Sequence, residues 1–135
     1  MELKEQIENK LRAHKVKPTA QRVEIGELLL SRPRHMSADL IIAELSAAGS
    51  RVSKATVYNT LNLFARHGLV REVSVDRERQ FYDSTVESHH HFYNVDSGEL
   101  IDIDSRALEF SKLPALPEGT EARDIEVVIR VRNKA

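Results

Sequence analysis

Residues 53–61 read SKATVYNTL, the most informative segment of this chain. Ser53 belongs to the residue types that cap helix N-termini. Val57, Leu61 and Phe64 follow at spacings of four and three residues, so they share one helical face. Gly68 is of the residue type that ends helices. The pattern predicts an amphipathic helix, with its apolar side against a core and its polar side toward solvent.

The polar side of this predicted helix carries side chains that suit DNA. A helix fits the major groove, where asparagine pairs with adenine and where threonine and tyrosine contact thymine methyl groups. A hydroxyl and an ammonium group at the helix start suit phosphates. The candidate DNA-contacting residues are Ser53, Lys54, Thr56, Tyr58 and Asn59, with Thr60 and Leu63 also on the outward side. An ordinary surface helix shows the same polar side, so this pattern alone leaves both interpretations open.

Helices are predicted before this segment and a hairpin after it. Apolar residues recur at helical spacing in three upstream runs, at residues 3–11, 23–29 and 41–48. Thr19 and Ser37 stand at N-cap positions of the second and third runs. After Gly68 the apolar residues alternate instead, and the charged segment 76–79 turns the chain back along residues 80–83. This order predicts a winged helix-turn-helix over residues 1–83.

The remaining residues predict a second, smaller unit. A polar linker at residues 84–88 precedes strands over residues 89–95, 99–104 and 125–131, with a short helix over residues 105–112. The predicted fold class is therefore α+β. It consists of an N-terminal winged helix-turn-helix at residues 1–83 and a small α/β domain at residues 89–135.

Composition and charge exclude several classes of protein. The 135 residues include no cysteine, which rules out disulfides, thiol nucleophiles and thiolate metal ligands. No apolar run approaches the ~20 residues that span a bilayer, and residues 1–5 do not resemble a signal peptide, so a cytoplasmic location is expected. Residues 1–83 carry 14 Lys/Arg against 11 Asp/Glu (+3), and residues 84–135 carry 6 against 10 (−4). The mildly basic front permits nucleic-acid binding without establishing it.

Three consecutive histidines lie on a predicted strand. Because strand side chains alternate, His89 and His91 share one face and His90 takes the other. Asp102 lies on the returning strand and is predicted to face the same side as His89 and His91, while Asp83 ends the hairpin six residues before His89. Without cysteine, a site here has nitrogen and oxygen ligands, which suits manganese, iron(II) or zinc. A solvated strand or an interface patch is the alternative interpretation.

The order of the motifs resembles the Fur (ferric uptake regulator) superfamily over nearly the whole chain. The motifs are KPTAQR at 17–22, HMSA at 35–38, ATVYNTL at 55–61 and HHH at 89–91. Further segments are similar to the iron response regulator (Irr) branch: VSVD at 73–76, HHHFY at 89–93, ELIDI at 99–103, PALPEG at 114–119 and the strand at 127–132. The resemblance implies a winged-helix DNA-binding domain, a hinge at residues 84–88 and an α/β dimerisation domain. It also implies a homodimer that binds an AT-rich inverted repeat.

The resemblance also implies site residues. Its regulatory metal site corresponds to His35, Asp83, His89, His91 and Asp102. Its DNA-binding unit adds Lys17, which matches a minor-groove lysine, and Arg22 of the same motif, and Tyr58 matches a thymine-contacting tyrosine. Asn94 and Ser97 stand where many members have a Cys-x-x-Cys pair, so a structural zinc held by four cysteines is excluded, as is an N-terminal Cys-Pro haem motif. Haem on His89, His90 and His91 remains a second candidate cofactor.

The expected function is a metal- or haem-responsive transcriptional regulator of iron homeostasis and haem-related genes. Iron(II) or manganese(II) is the expected ion, and zinc is expected to bind in vitro. A peroxide-sensing or manganese-sensing repressor of the same superfamily is the alternative, and a metal- or haem-buffering protein is a further one. A small metalloenzyme is the remote alternative, because no general base, oxyanion-binding donors or glycine-rich pocket loop is visible in the sequence.

Overall fold

The computed structural model describes residues 2–75, 79–87 and 89–135. The chain falls into two units, of which the first ends at Val86 and the second runs Glu87–Ala135. Most of the turn predicted at residues 76–79, and Ser88 of the predicted linker, lie outside the described residues. Within those residues, no helix has the length and apolar character needed to cross a bilayer.

Four helices build most of the first unit. Their bounds are α1 (Leu3–Ala13), α2 (Ala20–Leu30), α3 (Ala38–Ala47) and α4 (Lys54–Arg66). Three of them begin at a hydroxyl side chain that accepts a backbone N–H, namely Thr19 for α2, Ser37 for α3 and Ser53 for α4. Each cap satisfies a donor that a helix start otherwise leaves unpaired. The three N-caps predicted from the sequence are therefore confirmed.

The apolar side of α4 packs into the core of the first unit. Val57, Leu61 and Phe64 are each at most 1% exposed, as the spacing predicts. Helices α1 and α2 approach closely at Gly26, where an added Cβ would meet the Ile7 Cγ2 at 2.7 Å. Because that separation is shorter than real Cβ contacts, any larger residue at this position would force the Ile7 side chain or the helix packing to shift.

A three-stranded sheet completes the first unit. It comprises β1 (His35–Ser37), β2 (Arg71–Ser74) and β3 (Gln80–Asp83), in the order β1-β3-β2 with antiparallel pairing. The β2–β3 hairpin was predicted from alternation, whereas β1 was not. Three residues are too few to display an alternating pattern, although Met36 at the centre of β1 is only 1% exposed.

The second unit is a three-stranded sheet with one short and one long connection. Its strands are β4 (His90–Asn94), β5 (Leu100–Ile103) and β6 (Val128–Val131), and β4 is central, antiparallel to β5 and parallel to β6. The helix predicted over residues 105–112 is wrong, because only a 3-10 turn forms, at Ser105–Ala107. The next residue, Leu108, is extended, and the segment after it lies largely exposed. A short helix without an apolar face to bury is not stable.

Tyr82 should make the first unit less stable as the pH rises into the alkaline range. Burial on β3 raises the pKa of Tyr82 to about 12, with smaller contributions from Glu72 and Tyr58. An unfolded tyrosine ionises near pH 10, so the folded state holds an extra proton between pH 10 and 12. Stability is therefore complete below pH 10 and should fall by roughly 2–3 kcal/mol as the pH approaches 12. Urea unfolding across this range checks the effect; Tyr82→Phe should flatten the decline, and an equally steep decline in that variant would contradict it.

Candidate functional site

Two histidines and one aspartate meet in the second unit. His91 on β4 lies directly opposite Asp102 on β5. The Oδ1 of Asp102 is 3.1 Å from the Nε2 of His91 and 3.4 Å from the Nε2 of His89. The two imidazole rings are tilted against each other, with centroids 4.4 Å apart. The ligand atoms of the three side chains all lie within 4.8 Å of one another, so they converge on one point.

The hydrogen bond of His89 to the backbone orients its other ring nitrogen toward Asp102. The Nδ1 of His89 is 2.8 Å from the carbonyl oxygen of Glu87, and a carbonyl only accepts, so Nδ1 carries the hydrogen. In the neutral ring the Nε2 then presents a lone pair toward the carboxylate oxygen of Asp102. Two facing electron-rich atoms repel unless a positive charge lies between them, which either a metal ion or a proton on the Nε2 supplies. Metal-ligating histidines are commonly oriented by such a bond, in which the ring nitrogen that does not bind the metal donates to a backbone carbonyl, a carboxylate or water.

The distances in the cluster fit a single coordination sphere. Metal–ligand bonds near 2.1 Å imply ligand–ligand separations of about 3.0 Å in octahedral and about 3.4 Å in tetrahedral geometry. The observed separations are 3.1 Å and 3.4 Å. His91 is fully buried, whereas the Asp102 side chain is 61% exposed. His91 is therefore shielded from solvent, and the carboxylate of Asp102 is the most exposed group of the three.

His90 belongs to a different environment. It lies on the opposite face of β4, and its Nδ1 accepts a hydrogen bond from the backbone N–H of Val127 at 2.9 Å. Its ring meets Phe110 edge-on, with centroids 5.8 Å apart. His90 is only 8% exposed. It therefore anchors the segment that leads into β6 and stands apart from the cluster of His89, His91 and Asp102.

The first unit pairs the two other predicted ligands. His35 at the start of β1 lies opposite Asp83 at the end of β3. Asp83 is 2% exposed, and its Oδ1 accepts the backbone N–H of Thr85 at 2.9 Å. His35 is half-buried and meets the ring of Phe81 edge-on at 6.2 Å. Periodicity assigned no role to His35, because it was placed in a loop; its pairing with Asp83 follows from β1, the strand that the pattern missed.

The candidate DNA-contacting residues lie at the start of α4. Ser53 caps the helix, and its hydroxyl also lies 2.9 Å from that of Thr56. Lys54 and Asn59 are exposed, and Thr56 and Tyr58 are half-buried. The prediction that Thr60 faces outward is wrong, since Thr60 is 5% exposed. Thr60 follows Val57 by three residues and precedes Phe64 by four, so it shares their buried side.

Lys17 and Arg22 lie beside the start of α2. The Arg22 guanidinium donates to the carbonyl oxygen of Lys17 at 2.9 Å, which fixes the chain just before the helix. A hollow of about 310 Å³ runs from here to α4 and is lined by Thr19, Gln21, Arg22, Thr56, Asn59, Thr60 and Leu63. The hollow joins both candidate DNA-contacting segments in one polar surface. Gln21, which was not among the predicted DNA-contacting residues, also lines this hollow and lies next to Arg22 in the first turn of α2.

An asparagine holds the turn that follows the histidine strand. The Oδ1 of Asn94 accepts the backbone N–H groups of Asp96 and Ser97, and its Nδ2 donates to the Oδ1 of Asn133 at 2.9 Å. The N–H of Asn133 donates in turn to the Oδ2 of Asp96 at 2.8 Å. Asn94 and Ser97 are the two positions that correspond, by the resemblance, to the Cys-x-x-Cys pair of many family members. A side-chain amide, not a thiolate, closes this turn.

Removal of this amide should loosen the turn. Asn94→Ala is expected to destabilise the second unit by about 0.5–1.5 kcal/mol, the net contribution of an ordinary hydrogen bond, because the exposed N–H groups of Asp96 and Ser97 exchange their protein acceptor for water. Amide hydrogen exchange at Asp96 and Ser97, measured in EDTA, reads the effect directly. Asn94→Asp keeps the acceptor oxygen and should retain most of the protection. Unchanged exchange in Asn94→Ala would show that the turn is closed by other contacts.

Comparisons with known proteins agree over most of the chain. The model of the ferric uptake regulator family matches residues 13–130. The ferric uptake regulation protein of Pseudomonas aeruginosa is 36% identical over 132 residues, which cover 95% of this chain and 98% of that protein. The peroxide operon regulator of Bacillus subtilis is 35% identical over 101 residues, or 75% of this chain and 69% of that protein. The solved structure of the ferric uptake regulator from P. aeruginosa with manganese has a TM-score of 0.70 at 30% identity and covers 96% of this chain and 98% of that one. The likeness confirms the predicted α+β fold class.

Proposed function

This chain belongs to the ferric uptake regulator family, and from that premise we propose that it is a cytoplasmic regulator of iron homeostasis that binds an AT-rich inverted repeat as a homodimer. Members of the family are metal-responsive, dimeric DNA-binding regulators of transcription, not enzymes. The observation that carries the proposal is the convergence of His89, His91 and Asp102.

We propose five ligands for one divalent ion, and they lie in both units. They are His35 and Asp83 in the first unit and His89, His91 and Asp102 in the second. Iron(II) or manganese(II) is the proposed ion, because imidazole and carboxylate donors suit both, and zinc should bind the same donors in vitro. When bound, the ion supplies positive charge to two carboxylates. His89 follows Asp83 by only six positions, so the chain itself keeps their Cα atoms within roughly 20 Å.

Ligands in both units give metal binding a mechanical consequence. The two recognition helices of a dimer must lie about one DNA turn apart, roughly 34–36 Å, to read both half-sites. Ligation from both sides of the linker restricts the orientation of each DNA-binding unit and so favours the arrangement that fits DNA. By linkage, DNA then tightens metal binding by the same factor. Lys17, Arg22, Ser53, Lys54, Thr56, Tyr58 and Asn59 are the proposed DNA contacts.

An exposed apolar row supports the homodimer. Phe92 on β4 lies opposite Ile101 on β5 and opposite Ile129 on β6. All three side chains are between 36% and 43% exposed. Three large apolar side chains in a row on one sheet face are typical of a surface that a partner covers. A second copy of the second unit is the proposed partner.

Haem and peroxide are the two candidate signals that would change DNA binding. The similarity to the iron response regulator branch supports haem as an antagonist that displaces the metal at His89–His91. Since His91 is fully buried and His90 is 8% exposed, haem ligation by either ring requires local opening of the strand. The similarity to the peroxide operon regulator of B. subtilis supports the second candidate, a peroxide sensor in which bound iron(II) leads to oxidation of His35 or His89.

A DNA titration tests the proposed function. The full chain is titrated anaerobically against an AT-rich inverted repeat in EDTA, manganese(II), iron(II) or haem. DNA binding that needs a divalent ion and is lost in Asp102→Asn supports the proposed metal switch. Loss of the DNA complex on adding haem supports haem as the antagonist. Peroxide-dependent gain of one oxygen on the His35 or His89 peptide, with release of DNA, supports the peroxide sensor. Equal binding with EDTA and with metal would overturn the metal switch.

A further inference from the structure

Ser84 follows the proposed ligand Asp83 and makes four contacts at hydrogen-bond distance with backbone groups of Arg32 and Arg34, in the loop that leads into β1. Its backbone N–H donates to the carbonyl oxygen of Arg34 at 2.9 Å, and its hydroxyl accepts the N–H of Arg34 at 2.9 Å. The hydroxyl oxygen is also 3.1 Å from the carbonyl oxygens of both Arg32 and Arg34, to one of which its single proton can be donated. We propose that Ser84 is a positioning residue that holds His35 and Asp83 in register for metal binding. The inference rests on the proposed function of those two ligands.

The contacts of Ser84 extend a strand pairing that is otherwise very short. β1 has three residues and lies at the edge of its sheet, with His35 as its first residue. A short edge strand frays at its ends. The pair Arg34–Ser84 adds one hydrogen-bonded rung beyond His35 and Asp83. In an antiparallel ladder the rung next to a hydrogen-bonded pair is the one whose side chains lie closest together. The rung made by Ser84 therefore keeps His35 beside Asp83.

The hydroxyl also sets the point at which the chain leaves the sheet. In a regular ladder the backbone carbonyl of Ser84 would accept the Arg34 N–H, and the strand would continue. Here the side-chain oxygen takes that place, so the backbone is released to turn while the N–H of Arg34 stays bonded. The turn brings the N–H of Thr85 onto the Oδ1 of Asp83 at 2.9 Å. Ser84 thereby fixes the carboxylate of Asp83 as well as the position of His35.

Variants of Ser84 separate this role from general stability. Ser84→Ala removes both the acceptor and the donor, whereas Ser84→Thr keeps the hydroxyl. Arg34→Ala is the matched control, because it removes the guanidinium bond to the carbonyl oxygen of Leu28 at 3.1 Å but leaves the backbone rung intact. Manganese(II) affinity is measured by titration calorimetry on the full chain, and protection of the Arg34 amide is measured by hydrogen exchange in EDTA.

The expected results differ between the variants. Ser84→Ala should lose Arg34 amide protection and weaken manganese(II) binding by about tenfold, the scale expected for a residue that orients ligands. Ser84→Thr should restore both, and Arg34→Ala should bind manganese(II) like the wild type although its thermal midpoint falls. If Ser84→Ala does not fold, Ser84→Cys, with its weak acceptor, should show the same losses to a smaller extent.

Two outcomes would overturn the inference. One is a loss of Arg34 protection with unchanged manganese(II) affinity, which would make the rung structural only. The other is an Arg34→Ala variant that loses as much affinity as Ser84→Ala. A failure of the proposed metal site gives a different result: either the wild type binds no manganese(II), or Asp102→Asn binds it as tightly as the wild type. In both cases the hydrogen exchange of the Arg34 amide still reports on the rung.

Discussion

His91→Ala is expected to lower manganese(II) affinity by at least about 100-fold, because residues that merely orient metal ligands already account for 10–100-fold. The His91 Nε2 lies 3.1 Å from the Asp102 Oδ1, and the ring is fully buried, so the substitution removes one of the two imidazole nitrogens of the cluster. Metal-dependent DNA binding should be lost with it. Calorimetric titration of manganese(II), together with DNA binding at fixed metal concentration, measures both effects.

Two further variants distinguish a loss of metal binding from a loss of folding. Asp102→Asn replaces the carboxylate with a neutral amide on a side chain that is 61% exposed, so the fold should stay intact while the loss of negative charge should still lower the affinity. Glu99→Gln changes an exposed carboxylate at the start of the same returning segment and should bind manganese(II) like the wild type. A His91→Ala protein with wild-type affinity and metal-dependent DNA binding would show that the cluster is not the regulatory site.

Phe64→Ala should destabilise the first unit by about 3–5 kcal/mol, the range for removing a buried aromatic ring. Phe64 is fully buried on the side of α4 that faces the core, beside Leu61. The lost ring leaves a cavity that neighbouring helices fill only in part. Since a domain of this size has a total stability of only about 5–15 kcal/mol, DNA binding should weaken through loss of folded protein.

Denaturant unfolding followed by circular dichroism checks the stability change, since the four helices all lie in the described part of the first unit. Asn62→Ala is the control, because Asn62 is exposed on the same helix and its loss should change stability by less than about 0.5 kcal/mol. An equal effect of the two substitutions would mean that α4 does not pack as described. Manganese(II) binding to the folded fraction should remain in both variants.

Local signals made much of the fold predictable. Thr19, Ser37 and Ser53 mark the starts of α2, α3 and α4 because a cap acts within one turn of its helix. The alternation of the histidine strand likewise separated His90 from His89 and His91. The motif order was sufficient to recognise the superfamily, which the match over residues 13–130 confirms.

Features that depend on distant contacts were not predictable. β1 exists because residues 81–83, over forty positions away, offer it a partner. The pairing of His35 with Asp83 was therefore invisible to periodicity and came only from the resemblance. Thr60 shows the limit in another way: its polarity suggested the outward side, but its spacing from Val57 and Phe64 decides its burial. The helix predicted after Ser105 lacked a surface to pack on.

The pairing of β4 has a consequence for synthesis of the chain. One neighbour of His91 is Asp102, which follows it by 11 residues, and the other is Val128, which follows it by 37. The antiparallel hairpin closes a short loop, whereas the parallel strand must close a long one, so the hairpin forms first. A nascent chain therefore assembles His91 and Asp102 while the other edge of β4 is still open. Until β6 leaves the ribosome, that open edge presents unpaired backbone groups at which the newborn protein can aggregate or bind chaperones.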